Sequence, residues 1–315
     1  MATLATVLEL LDLEPLEENL FRGESPQEEQ QRVFGGQVAG QALVAAGRTV
    51  DPHERTTHSL HAYFLRTGDP RVPILFQVDR TRDGRSFSTR RVTAIQHGKP
   101  IFALSASFMR PEKGIERSHP MPDVPGPNAL PSLAERIERF GSSLPDEEIA
   151  WMRRERAIEM RHVDLREYLD YEDKSPRNPI WIRTSGPIGE TGNMLAPEPS
   201  PPQRMFWLRA TGELPDDPGL HRYLLAYASD FSFLTTAMLP HAVSWLTPGM
   251  QVASLDHAMW FHQDVRADEW LLHVVDSPKA HGARGLARGR VFTKDGRLVA
   301  STAQEGLIRQ RPPRR

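Results

Sequence analysis

The chain has 315 residues, a formal net charge of -2 and no cysteine. That length can bury two modest cores, the near-neutral charge gives nucleic acid no electrostatic footing, and the missing cysteines exclude disulfides, thiolate nucleophiles and cysteine-ligated zinc. No apolar run approaches a membrane span and the amino terminus lacks a signal-peptide pattern, so a soluble cytoplasmic protein without membrane or nucleic-acid partners is expected.

Leu4 to Asp12 read as a short helix and Leu16 to Arg22 as a strand. RVFGGQVAGQALVAAGRTV follows, with Gly35 and Gly36 ahead of an apolar, small-residue helix that Gly47 can stop. A helix this apolar is buried on most sides, and its alanines and glycines permit close approach. His58 to Leu65, Ile74 to Arg80, Ser86 to His97 and Lys99 to Arg110 read as strands, with hairpin chemistry at Asp83-Gly84 and His97-Gly98. Pro111 to Pro131 form a proline-rich joint, followed by helical patterns at Leu133 to Phe140 and Asp146 to Arg156.

Ile158 to Val163 can open a second half, with a further loop region over Pro176 to Pro202. Met205 to Ala210 reads as a strand and Pro218 to Tyr227 as a helix. Asp230 is the expected N-cap of a second apolar helix, DFSFLTTAML, placed like Gly35 to Ala46 in the first half. Gln251 to His262, Glu269 to Asp276, Arg284 to Thr293 and Leu298 to Arg309 complete a second strand set, with a turn at Asp295-Gly296.

The two strand sets repeat one pattern. HAYFLR (from His61) answers HAMWFH (from His257), and Arg85 to Arg110 aligns with Arg284 to Arg309 without a gap, turn glycines Gly98 and Gly296 nearly coinciding. An internally duplicated α+β fold follows, each half one apolar helix with one curved antiparallel sheet, joined edge to edge. In this ungapped register Ser105 is the counterpart of Gln304. The expected division is 1–112, a helical linker over 113–157, and 158–315.

Walker, dinucleotide and GxSxG signatures are absent. His53, Glu54 and His58 miss the HExxH spacing by one residue, and Asp256, His257 and His262 alternate across a strand, so no metal site is expected. Chemistry falls to polar residues in apolar elements. Asp230 at a helix start can be a cap or can orient water beside free backbone N–H groups. Ser254 opens a strand, and Asp256, two residues on and on the same face, competes with Asp230 for an acid-base role. Gln304, in a largely buried strand, is either a satisfied structural amide or a working one. Arg80, Arg82, Arg85, Arg90 and Arg91 crowd the first hairpin, and Arg284, Arg288 and Arg290 the second. They suit a solvated sheet face or a phosphate-binding mouth.

In RVFGGQVAGQAL, HSLHAYFLRTGD, YASDFSFL, SLDHAMWFH and STAQEGLIR, the chain resembles the acyl-CoA thioesterase II family of double hotdog enzymes. The resemblance implies hydrolysis of acyl-CoA to a free acid and coenzyme A without a cofactor. The family's aspartate, Ser/Thr and glutamine, which activate water, fall on Asp230, Ser254 and Gln304. It also points to Gly35, Gly36 and Gln37 near the substrate, with Phe231, Phe233 and Met238 along an apolar acyl groove, those three fitting a core role as well. Arg85 and Arg288 are candidates for coenzyme A phosphates, and a homodimer or homotetramer is expected. The terminal QRPPRR differs from the peroxisomal signal of some relatives. A hotdog hydratase or dehydratase, or a non-catalytic acyl-CoA binder, stands as the alternative.

Overall fold

Too few polar side chains interrupt Gly35–Gly47 for that segment to face water. It forms a helix, α2, buried from Gly36 through Ala46. The computed structural model describes residues 2–26, 32–140, 149–150, 153–163, 200–244 and 247–311. Helix α1 (Leu4–Leu11), capped by the Thr3 hydroxyl, packs on α2. Strands β1 (Glu14–Glu17) and β2 (Leu20–Gly23) form a hairpin where the sequence pattern suggested one strand. The polar Glu18-Asn19 pair turns the chain between them. Strands β3 (Thr56–Phe64), β4 (Ile74–Asp83), β5 (Phe87–Gln96) and β6 (Lys99–Met109) then wrap α2. Leu60, Phe76, Val92 and Leu104 are among the side chains that close this core.

Helix α3 spans Leu133–Phe140. Of the helical pattern expected over Asp146 to Arg156, residues 149–150 are helical, 153–156 form a turn and irregular chain, and the rest lie outside the described residues, as does most of the Pro176 to Pro202 loop. The second half runs β7 (Ile158–His162), β8 (Gln203–Ala210), helices α4 (Pro218–Ser229) and α5 (Phe233–Met238), β9 (Met250–Ser254), β10 (Asp256–Phe261), β11 (Leu271–His281), β12 (Arg284–Thr293) and β13 (Leu298–Gln310). Asp217 caps α4, accepting from the N–H groups of Gly219 and Leu220, with Pro218 pre-set for the first turn. Helix α4 lies against α2, whereas α5 packs on β11, β12 and β13. The expected single strand from Gln251 to His262 is broken at Leu255, and both pieces pair with β13.

All thirteen described strands belong to one sheet, ordered β1-β2-β4-β5-β6-β3-β10-β13-β12-β11-β8-β7, with β9 added on β13. The halves meet where β3 pairs antiparallel with β10, His61 opposite Ala258 and Ala62 opposite His257. This is the α+β double hotdog architecture, its two sheets joined through edges that would otherwise stand open.

The pleat corrects the ungapped register. Ser105 is exposed and lies opposite exposed His61, while Gln304 is buried and bonded to buried His257. A one-residue slip exchanges the two faces of a strand. Aligned instead on the turn glycines, both with positive φ, the position eight residues past Gly98 is Ala106 and eight past Gly296 is Gln304. Ala106 is buried opposite Leu60, so the first half carries an apolar pair where the second carries His257 and Gln304.

Candidate active site

Helix α4 ends at Ser229, and Ser232 takes a left-handed φ of 73° before α5 begins. Asp230 therefore terminates α4 as its C-cap rather than capping α5, whose N-cap Ser232 makes no side-chain bond. The Asp230 carboxylate still sits at a helix start, but that of α2 in the other half. It accepts the backbone N–H of Gly36. Glycine is required there: a Cβ on Gly35 would lie 2.7 Å from Asp230 Oδ2, and one on Gly36 would lie 2.2 Å from the Tyr227 carbonyl oxygen. Two glycines thus let α2 press its N-terminal end against the end of α4.

Gln304 reaches the same carboxylate from β13. Its Nε2 donates to Asp230 Oδ1 at 2.9 Å and to Ser254 Oγ at 2.7 Å. Ser254, the last residue of β9, also bonds Asp230 through its hydroxyl. Burial pushes the Asp230 carboxyl above the ordinary aspartate value. The neighbouring His257 imidazole and the bonds from Gln304, Gly36 and Ser254 oppose that rise without cancelling it. A carboxylate so placed is a better proton acceptor than a free one, and still has three donors to hold it in position. Asp230, Phe231, Ser254, Phe34 and Gly35 keep partial exposure and mark the open side of the cluster.

Two further residues join the cluster: His257, which the sequence offered only as a metal ligand or a hydratase residue, and Ser229, which it did not single out. His257 Nδ1 lies 2.7 Å from Gln304 Oε1, and its Nε2 lies 2.8 Å from Ser229 Oγ. The YASD and DH motifs contain both residues, but only the pairing of α4, β10 and β13 brings them together. Asp256 behaves differently. Its carboxylate accepts the Glu305 backbone N–H at 2.6 Å, so it anchors the β9–β10 break and is divided from His257, the pair a hydratase would need.

The remaining candidates separate by location. Gln37 is 3 % exposed and donates to the Glu24 carbonyl and Ser25 Oγ, tying α2 to the preceding loop. Phe231 stacks on Phe34 at 5.1 Å beside the cluster, whereas Phe233 and Met238 are core residues. Arg85 lies in the β4–β5 turn, its carbonyl bonded by Arg55 at the start of β3, far along that strand from the Ala62–His257 pair. Arg288 pairs with Asp276 on the sheet's outer face, because its neighbour Ala287 shares the inner face with Gln304. Arg90 is buried, its guanidinium bonded to Thr49 and Asp83, and belongs to the core. Exposed Arg32, by contrast, reaches from the start of α2 to the Val252 carbonyl on β9, beside the opening. Among the described residues no group of three His, Asp or Glu side chains is gathered to hold a metal ion, and no helix is long and apolar enough to cross a membrane.

Two sequence profiles match the chain: "Acyl-CoA thioesterase N-terminal domain" over residues 24–109 and "Acyl-CoA thioesterase" over 187–307. Acyl-coenzyme A thioesterase 8 of Homo sapiens is 42 % identical over 310 residues, covering 97 % of this chain and 89 % of its own. Acyl-CoA thioesterase 2 of Haemophilus influenzae is 40 % identical over 306 residues, covering 97 % and 98 %. The crystal structure of acyl-CoA thioesterase II TesB2 from Mycobacterium marinum superposes with a TM-score of 0.74 at 41 % identity, over 98 % of this chain and 100 % of that one. With relatives this similar over nearly its whole length, the chain belongs to the acyl-CoA thioesterase family.

Proposed function

We propose that this protein hydrolyses acyl-CoA thioesters to a carboxylic acid and coenzyme A, using Asp230, Ser254 and Gln304 and no cofactor. The observation that carries the reading is the Gln304 amide, whose two N–H groups converge on a half-buried carboxylate and a hydroxyl at the open side of the protein. A thioester carbonyl is electrophilic enough to be attacked by a positioned water without a covalent intermediate. Asp230, with its raised proton affinity, takes a proton from water as the oxygen adds to the carbonyl carbon. Gln304 fixes that carboxylate and the Ser254 hydroxyl, and those two groups hold the water in line. Collapse of the tetrahedral intermediate breaks the C–S bond, and the thiolate of coenzyme A leaves and takes up the proton.

The acyl chain enters beside Phe34 and Phe231. We assign the coenzyme A phosphates to the side of Arg32, which bonds the Val252 carbonyl two residues before Ser254, in preference to Arg85 in the β4–β5 turn or Arg288 paired with Asp276. The halves are proposed to divide at 1–112 and 158–315, with 113–157 as linker. A homodimer or homotetramer working in the cytoplasm is the proposed assembly. Tyr63 at 63 % exposure and Trp260 at 36 %, on the outer face of the β3–β10 junction, offer a second copy its contact. Light scattering on the Tyr63→Ser variant tests that assembly, which fails if the oligomer is unaffected.

Thiol release from a panel of short, long and branched acyl-CoA esters tests the activity, using wild type and Asp230→Asn. Hydrolysis that collapses in the variant supports it. Folded wild-type protein that releases no thiol from any ester overturns it.

A further inference from the structure

His257 is 1 % exposed, yet both ring nitrogens have partners. An amide oxygen only accepts, so Nδ1, 2.7 Å from Gln304 Oε1, carries a proton. On the other side, Ser229 Oγ lies 2.8 Å from Nε2 and 2.9 Å from the Ala226 carbonyl, fixed to the end of α4. The Phe233 ring meets the imidazole edge-on at 5.8 Å and 88°, and the bonds at both nitrogens select one of its two flip states.

The two ends of a glutamine amide have nearly the same shape, so neighbours decide which way it faces. As observed, both N–H groups of Gln304 go to acceptors and its oxygen receives a proton from His257. Reversed, the oxygen would confront the Asp230 carboxylate and the NH2 group would confront Nδ1–H. Each is a like-against-like contact in a buried site, where an unmade bond is costly.

We infer that His257 is a positioning residue whose Nδ1 proton fixes the Gln304 amide, so that both amide N–H groups are delivered to Asp230 and Ser254, with Ser229 holding the ring. The inference rests on the hydrolytic reading of those three residues. With both ring nitrogens engaged by side chains, His257 acts through Gln304 rather than on the reacting groups. Its place in the first half is taken by Leu60, which has no proton to offer, and that of Gln304 by Ala106.

Two substitutions separate hydrogen bonding from space filling. His257→Asn keeps a side-chain N–H near the Nδ1 position, and His257→Leu removes it. The Leu variant should lower kcat roughly tenfold to hundredfold with little change in KM, and the Asn variant should recover most of that loss. A residue that only fills the core would be served as well by Leu as by Asn, so equal kcat values overturn the inference. Should the Leu variant fail to fold, Ser229→Ala, which releases only Nε2, should lower kcat severalfold, and an unchanged kcat overturns the inference.

The Gln304 side-chain amide resonances, assigned by their loss in Gln304→Leu, report orientation without reference to turnover. A single slow-exchanging pair is expected in wild type and Asn, with doubling or broadening in Leu. If wild type releases no thiol but its amide follows this pattern, the hydrolytic reading fails while the positioning role stands. One sharp pair in all three proteins overturns the positioning role.

Discussion

Replacing Gly36 with alanine tests the junction between the halves at its tightest point. The new Cβ would lie 2.2 Å from the Tyr227 carbonyl oxygen and 2.5 Å from Phe34 Cε1. Phe34 can rotate aside, but the carbonyl belongs to the main chain of α4 and cannot. Restoring an ordinary contact requires α2 to withdraw by roughly 1 Å, which stretches the Gly36 N–H bond to Asp230 beyond hydrogen-bond range. Overpacking of this kind costs about 1–3 kcal/mol. A misplacement of that size at a reacting group costs about a hundredfold in rate. Thermal unfolding and thiol release should therefore fall together, with the midpoint lower by several degrees and kcat/KM by about two orders of magnitude. Gly114→Ala, where a Cβ meets nothing within 4 Å, is the matched control. A Gly36→Ala protein with wild-type midpoint and rate would refute the claim that α2 and α4 meet through that glycine.

Asp230→Asn should abolish most activity, by about 10²–10⁴-fold for a lost general base, while leaving stability equal or higher because a buried charge is removed. The sign of the pH dependence follows from the raised folded-state value. The stability that protonated Asp230 contributes is complete below the ordinary aspartate value of 3.8 and is lost as pH rises through the raised one. The wild-type unfolding midpoint, measured against the Asn variant, should decline across that window, and the acid limb of kcat/KM should lie above the ordinary aspartate range. Ser254→Ala leaves one Gln304 N–H without its acceptor and should lower kcat about tenfold without altering the far-ultraviolet circular dichroism spectrum. Arg90→Met removes bonds to Thr49, Asp83 and the Arg82 carbonyl, and denaturant unfolding should register a loss of about 2–4 kcal/mol with kcat unchanged.

Most of the fold was legible because it rests on short-range signals. The apolar run of α2, the strand alternation of β4 to β6 and β11 to β13, and the turn glycines all speak through neighbouring residues. What was illegible depends on contacts between distant segments. Asp230 looks like an N-cap in isolation, since Asp before an apolar run usually is one. Its true helix start is contributed by Gly36, far away in the chain. His257 was weighed only as a metal ligand or a hydratase residue, and Ser229 was not singled out, because the role of each emerges only when α4 lies across β10 and β13. Similarity of letters also set Ser105 against Gln304, but the pleat sets them on opposite faces, and burial decides between the two.

The pairing of β3 with β10 places Leu60 and Ala106 on one side of an approximate two-fold axis and His257 with Gln304 on the other. An assembly of identical halves could not hold that difference. Any residue suited to one side would be forced on the other, and a change that improved catalysis would be made twice, whatever it did to packing. Joining the halves in one chain removes the obligation. One side can be spent on a dry, close-packed wall and the other on a polar, costly cluster. Titration of active sites should accordingly find one per polypeptide, however many polypeptides assemble.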